Sequence, residues 1–327
     1  MTFKANTQKN QIESHVLTKN GKSKSFMTKT VVVALCALIC CALWGSAFPC
    51  IKIGYKLFGI GGNDTFSQIL FAGIRFFLAG AFTVLIGSVI EKRLLIPSRK
   101  SSGKIIILSI FQTIIQYLFF YIGLSNTTGV KASVLDGASV FIALFVSCII
   151  FRLEKITPAK IIGSLVGFVG VILINLTGLN FQFSLSGEGF ILISAMGYAL
   201  SSVFMKRYSA DTSPLLLSGW QFMFGGAVMT IVGIIFGGTL KITSAMAVFM
   251  LLYLALLSAV AYSLWSVLLK YNPVSKVTVF GFMNPVFGSL FSVVFLSESE
   301  ALGVSAVCSL ILVSVGIYIV NRKESKE

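Results

Sequence analysis

Two charged side chains, Arg75 and Asp136, stand deep inside long apolar runs of this 327-residue chain. An arginine in such a place could bind an anion, an aspartate could take up and release a proton, and the two could neutralise each other in a structural salt bridge. A charge at the centre of a hydrocarbon layer costs about 2.5–3.5 kcal/mol on insertion scales, so each asks for a reason. Gln112 and Gln116, four apart and so on one helical face, and Asn284 beside Pro285 could hydrogen-bond a polar solute or bridge neighbouring helices. Trp44, Tyr198, Trp220, Tyr262 and Trp265 would suit an aromatic-walled cavity; Trp220 and Trp265, near the ends of apolar runs, equally suit anchoring at a membrane interface. Other chemistries lack their parts. His15, the one histidine, lies in a polar leader, so a Ser/His/Asp triad or an HExxH metal site has no central residue. Gly21-Lys22-Ser23 looks like the end of a phosphate loop, but Val16 stands where its first glycine would be. Cys36, Cys40, Cys41, Cys50, Cys148 and Cys308 show neither metal-site nor disulfide spacing and read as small packing residues; no enzyme activity, metal or cofactor is expected.

The elements that must position these residues are set by composition. The chain is 56% hydrophobic and 11% charged, with a mean hydropathy of +0.93. A soluble domain carries about 25% charge, so most of this surface faces lipid. From Thr30 onward, ten stretches of about 20 apolar residues recur, each long enough to cross roughly 30 Å of hydrocarbon as a helix. Residues 1–29 are polar and lysine-rich without the apolar core of a signal peptide, and are expected to form a disordered tail; residues 322–327 form a second short tail. The net charge of +15 could suggest nucleic acid, but the basic residues fall between apolar runs rather than on one aromatic-interleaved face, so no nucleic-acid partner is expected. Their distribution reports orientation instead. With the amino tail inside, twenty-one Lys and Arg lie inside and four (Lys52, Lys56, Lys131, Lys241) outside, which places both termini in the cytoplasm of a multi-pass protein in a plasma or inner membrane.

The sequence also repeats. A shift of 146 superposes Gly73 on Gly219, Phe76 on Phe222, Gly80 on Gly226, Leu144 on Leu290, Glu154 on Glu300 and Gly170 on Gly316. Agreement at Glu as well as Gly divides the chain into halves, 30–176 and 187–321, of five helices each. Five is odd, so the second half enters the membrane with opposite orientation and the halves are related by a pseudo-twofold axis in the membrane plane. The fold class is therefore all-α, with ten transmembrane helices in two inverted five-helix repeats. The same shift sets Gln221 opposite Arg75. Similar depth from the outer surface, roughly 12 Å for Arg75 and 9 Å for Asp136, predicts that these two pair. Gly163, Gly167 and Gly170 form a small-residue stripe suited to close packing within the chain or between copies in a homodimer. Glu154 and Glu300 read as markers of helix starts rather than as coupling sites.

Gly73-Ile-Arg75-Phe-Phe-Leu-Ala79, Asn284-Pro285-Val286 and the acidic residues that precede Gly-containing helices (Glu154 to Gly170, Glu300 to Gly316) resemble the EamA repeat of the drug/metabolite transporter superfamily, over roughly residues 30–321. The resemblance implies a carrier with a central cavity between two halves, working by alternating access on a small metabolite such as an amino acid, as an exporter. Its partners would be that solute and the lipid bilayer. The substrate candidates are then Arg75, Asp136, Gln112, Gln116, Trp44, Tyr198, Gln221, Asn284 and Tyr262. Ser139 stands where the second repeat has Pro285, so helix 4 is expected to be straighter and more polar than its counterpart. A channel without ATP use, or a scaffold without transport, remains as an alternative.

Overall fold

A computed structural model describes residues 26–127, 129–174, 183–296 and 304–322. The described residues form ten helices: α1 (Thr30–Leu57), α2 (Thr65–Ile90), α3 (Arg99–Leu108, continuing through Ser109–Ile115 into Gln116–Ser125), α4 (Gly129–Phe145, continuing as Val146–Ile150) and α5 (Pro158–Ile174). Then follow α6 (Leu185–Gly189 into Phe190–Tyr208), α7 (Pro214–Ile235), α8 (Ala245–Tyr271), α9 (Val274–Thr278, Val279–Phe282 and Met283–Leu296) and α10 (Val304–Asn321). No strand is found among the described residues. Six helices, α1, α2, α3, α6, α7 and α8, are long and apolar enough to cross a membrane by themselves. The apolar stretches of α4, α5 and α10 are shorter, which leaves the expected count of ten crossings larger than length and composition alone support. Outward-facing Leu85, Val89, Ile90, Ile234 and Ile235 are exposed, as an apolar solvent requires.

Caps repeat with the same period as the helices. Ser98 accepts from the Ser101 amide at the start of α3 and Ser244 from the Ala247 amide at the start of α8, 146 residues later. Asp64 caps α2 through the Ser67 amide, and Ser213 followed by Pro214 caps α7 through the Leu216 amide.

Packing makes the repeat visible in space. The most extensive contacts pair α2 with α7 and α5 with α10, each helix with its own counterpart. α1 packs on α8 and α9 of the other half, and α6 packs on α3 and α4, the same arrangement with the halves exchanged. In the α2/α7 crossing a Cβ on Gly226 would lie 2.7 Å from the Gly73 carbonyl oxygen, and one on Gly80 would lie 2.5 Å from the Gly219 carbonyl oxygen. Residue numbers rise along α2 as they fall along α7, so the two are antiparallel, as inverted repeats must be. The α5/α10 crossing follows the same rule: Gly163 meets Gly316, and Ser309 donates to the Gly170 carbonyl at 2.7 Å. The α5 glycine stripe is thus filled within the chain by α10 at Gly163 and Gly170, while Gly167 takes the Phe282 ring.

Cys40, Cys41 and Cys50 are buried as packing residues, with the Cys40 and Cys41 thiols donating to the Ala261 and Phe280 carbonyls and seating α1 on α8 and α9. Pro285 lies in the first turn of the Met283–Leu296 segment, where its missing N–H costs nothing, and the irregularity falls just before it in the tight turn Val279–Phe282. The equivalent stretch of α4 is unbroken α-helix, and there Asp136 takes the place of Phe282.

Candidate functional site

Where α1, α2, α3, α7 and α8 cross, aromatic rings fill the centre. Trp44 packs on Tyr262 and Trp265, with ring centroids 4.9 and 5.0 Å apart. Tyr262 meets Phe222 edge-on at 4.7 Å, Phe222 stacks on Phe76 at 5.2 Å, and Phe76 lies 4.2 Å from Tyr117. Trp44 touches all three of the larger apolar clusters of the molecule. The hydroxyls of Tyr117 and Tyr262 hydrogen-bond to each other. These two tyrosines come within one residue of exchanging places under the 146-residue shift, so their contact joins nearly equivalent positions of the two halves.

Arg75 is buried beside this cluster. Its Nε and Nη2 donate to the Ser258 hydroxyl of α8 at 3.3 and 3.0 Å, and its guanidinium carbon lies 4.8 Å from the Phe76 ring centroid. It is within electrostatic range of the hydroxyls of Tyr55, Tyr117 and Tyr262. Its Nη1 has no hydrogen-bond partner. The repeat mate Gln221 behaves alike: its Oε1 accepts from Thr113 of α3 at 2.6 Å, its carbonyl accepts from Ser109 at 3.0 Å, and its Nε2 is buried without a partner. Each half thus sends one polar side chain from its second helix to the third helix of the other half. Ser109, Thr113 and Tyr117 are spaced by four. Ser109 and Thr113 lie within the widened π-helical turns of Ser109–Ile115, and Tyr117 just after them.

The expected Arg75–Asp136 pair does not form. Arg75 turns to α8, and Asp136, half-buried on α4, lies within electrostatic range of Tyr198 and Tyr262 instead. Equal depth puts two residues in one layer of the bundle but leaves open which side of the centre each faces; α2 packs on α7 and α8, whereas α4 packs on α5 and α6. Trp265 is fully buried against Trp44 rather than anchored at an interface, and Trp220 donates to the Leu95 carbonyl at 2.7 Å, pinning the α2–α3 loop. Gln112 is buried and Gln116 and Asn284 are half-buried, each with an amide oxygen that has no partner. Tyr198 packs against the main apolar cluster on α6. Tyr117, Phe76, Phe222 and Ser258 escaped the reading of residue types. Their signal was the repeat itself: Phe76 and Phe222 are mates, and Tyr117 and Thr113 fall one position from Tyr262 and Ser258 under the shift.

At the end of the bundle where α1 begins and α10 ends, polar clasps join the halves. Glu154 accepts from the Ser275 amide at 3.1 Å, from the Ser275 hydroxyl and from Lys160 at 2.9 Å. Burial alone would raise its pKa, but these hydrogen bonds outweigh it and hold the carboxyl below the ordinary glutamate value. Glu154 is therefore an inter-half fastener as well as a boundary residue; its mate Glu300 lies outside the described residues. Lys104 grips Asp211 at 2.6 Å and lowers that carboxyl's pKa, and Ser213 donates to Glu91. At the opposite end the Lys241 amide donates to the Phe58 carbonyl and Thr127 to Glu188. An apolar groove of about 540 Å³ lined by Phe141, Phe145, Met196 and Leu200 opens on the outside of α4 and α6, away from this chemistry.

Helices in two inverted sets of five, closed round a buried aromatic and polar centre and wrapped in an apolar exterior, define a multi-pass membrane protein of the inverted-repeat transporter class. The EamA-like transporter family matches residues 31–176 and again 185–322, so this chain belongs to that family. It is 27% identical over 306 residues to an uncharacterized transporter of Archaeoglobus fulgidus, covering 91% of this chain and all of that protein. It is 33% identical over 220 residues to an uncharacterized transporter of Acidianus ambivalens, covering 64% of this chain and 80% of the other. A WAT1-related chloroplastic protein of Arabidopsis thaliana is 28% identical over 219 residues, 63% of this chain; the chain spans about half the length of that relative. A crystal structure with 16% identity superposes with a TM-score of 0.71 over 88% of this chain and 96% of the other, which is a likeness of fold.

Proposed function

We propose that the protein is a secondary carrier that moves a small metabolite through the centre of the bundle by rocking its two halves about the pseudo-twofold axis, in the direction of export. The observation that carries this reading is the Tyr117–Tyr262 contact between near-equivalent residues of the two halves, with Arg75 and its mate Gln221 each reaching the third helix of the other half: a polar centre shared by both halves is what alternating access requires. All ten helices cross the membrane, the shorter ones by tilt of their neighbours and local thinning of the bilayer. The solute is bound among Arg75, Gln221, Trp44 and Tyr262, with Gln112, Gln116, Tyr198, Asn284 and Asp136 further along the path. The gradient of the solute or of an ion drives it, since the sequence offers no phosphate loop.

Reconstituted vesicles are expected to show saturable counter-exchange of a small solute without ATP. A strict ATP requirement, or conductance on the scale of an open pore, would defeat the carrier reading. Both termini are assigned to the cytoplasm of a plasma or inner membrane, because the basic residues crowd that end. Single cysteines at the exposed positions Asn63, Asn126 and Thr239 should react with an impermeant reagent from outside, and cysteines at Ser98 and Ala210 should not. The reverse pattern would invert the assignment.

A further inference from the structure

We propose that Arg75 is the anion subsite of this centre and that the carried solute is a small monocarboxylate with a flat apolar body; the inference rests on the carrier reading above and names its substrate class. A guanidinium has five N–H donors in one plane. Ser258 takes the Nε/Nη2 edge, using one hydrogen from each nitrogen. Three N–H remain, two on Nη1 and one on Nη2, and they form the end-on edge that accepts the two oxygens of a carboxylate side by side. Among the described residues no acidic side chain pairs with Arg75, so its charge is held in the protein interior without a carboxylate of the chain's own. Such an uncompensated charge is costly, and the arrangement is complete when an anion arrives.

Other unpartnered groups among the described residues include donors. The indole Nε1 atoms of Trp44 and Trp265 and the amide Nε2 of Gln221 are all buried without acceptors. Donors left free in this way favour a solute that brings oxygen acceptors. The body of that solute is set by Trp44, Phe76, Phe222, Tyr262 and Trp265, whose faces and edges offer a flat apolar group the same contacts they make with one another. One cation balances one negative charge. A phosphate monoester, nearly doubly charged at neutral pH, would bring a second charge into the same buried site with nothing to meet it.

The test uses the purified full chain in detergent, with tryptophan fluorescence and thermal stability as readouts and four probes of similar shape: phenylacetate, phenylacetamide, phenethylamine and phenyl phosphate. Phenylacetate is expected to bind at least tenfold more tightly than its amide, with the amine and the phosphate weaker still. Arg75→Gln should remove that preference, so that acid and amide bind alike, and Arg75→Lys should keep part of it, since a point charge lacks the two-pronged edge. Equal binding of acid and amide, or tightest binding of the amine or the phosphate, would overturn the proposal. If Arg75→Gln does not fold, Ser258→Ala serves instead: it keeps the charge, frees the Nε edge and should weaken phenylacetate severalfold, and unchanged affinity would count against the subsite. Exchange of a neutral or cationic solute in vesicles, with no effect of carboxylates, would retain the carrier and remove the anion site. Tight phenylacetate binding without any flux would do the opposite.

Discussion

Gly226→Leu is expected to yield no folded, monodisperse protein, because there is no room for any side chain where α7 crosses α2. A Cβ at Gly226 would sit 2.4 Å from the Phe77 amide nitrogen and 2.7 Å from the Gly73 carbonyl oxygen, and both are backbone atoms that cannot step aside alone. Even the single methyl of Gly226→Ala forces the helices apart, and overpacking of this kind costs about 1–3 kcal/mol. The twofold relation adds a sharper expectation. Gly80 is the mate of Gly226, and its Cβ would lie 2.5 Å from the Gly219 carbonyl and the Met223 amide, so Gly80→Ala should cost about as much as Gly226→Ala. Gly103 is the control: it is exposed on α3 with nothing within 4 Å of a Cβ, and Gly103→Ala should be neutral or stabilising by up to about 1 kcal/mol through helix propensity. Thermal unfolding of the three alanine variants in one detergent decides the matter. A Gly226→Ala protein as stable as Gly103→Ala would mean that α2 and α7 do not meet as described.

The same crossing shows why the fold could be read before it was seen. The spacing of glycines in α2 and α7 is common to the two halves because one close contact, viewed from either end of the axis, needs small residues at equivalent positions in both helices. Caps at Ser98 and Ser244 repeat for a similar reason, since each begins the third helix of its half. What the sequence did not disclose is rotation. A residue's depth follows from its distance along the helix, but the direction it faces depends on the neighbour it packs against, and that is a tertiary fact. Arg75 and Asp136 share a depth and face different partners. The π-helical turns in α3 compound the problem, because they rotate the residues that follow relative to a regular helix and so bring Tyr117 to Tyr262. Trp265 was hard to place for a related reason: closeness to a helix end suggests an interface only when the end itself is not packed beneath another helix.

Since Arg75 and Asp136 make no ion pair, Arg75→Gln and Asp136→Asn should have additive effects on stability, within about 0.5 kcal/mol in a double-mutant cycle. A coupling energy well above that would restore the pairing expected from depth alone.

At the terminal end of the bundle, Glu154→Leu is expected to be among the most destabilising single changes in the molecule. The Glu154 side chain is 7% exposed and collects three donors, the Ser275 amide, the Ser275 hydroxyl and the Lys160 ammonium, tying the α4–α5 loop of one half to the start of α9 in the other. Removing the acceptor leaves the Lys160 ammonium with only the Lys155 carbonyl and the Ser275 backbone N–H unmatched, a loss of about 3–5 kcal/mol for a buried charge whose partner is taken away. Glu154→Gln keeps the shape and an acceptor oxygen, and should cost less. The charge dependence gives the distinguishing measurement. Because the folded carboxyl titrates below the ordinary glutamate value, the unfolded chain binds the proton more readily. The clasp therefore contributes its full stabilisation above the ordinary glutamate pKa of about 4.3 and loses it as the pH falls through the lower folded value. Wild-type protein should show a decline in unfolding temperature across that acid window that is shallower in Glu154→Gln, with the two curves converging at the acid end. Because the clasp joins the two halves at the end assigned to the cytoplasm, a carrier that opens there must break it in every cycle. Glu154→Gln should then shift the resting population toward the state open on that side, raising the labelling of a cysteine placed at Ser275's neighbour Val274, which is buried while the clasp is closed. Labelling at Val274 that stays at the background level in Glu154→Gln would show that the clasp holds the fold together without taking part in the gate.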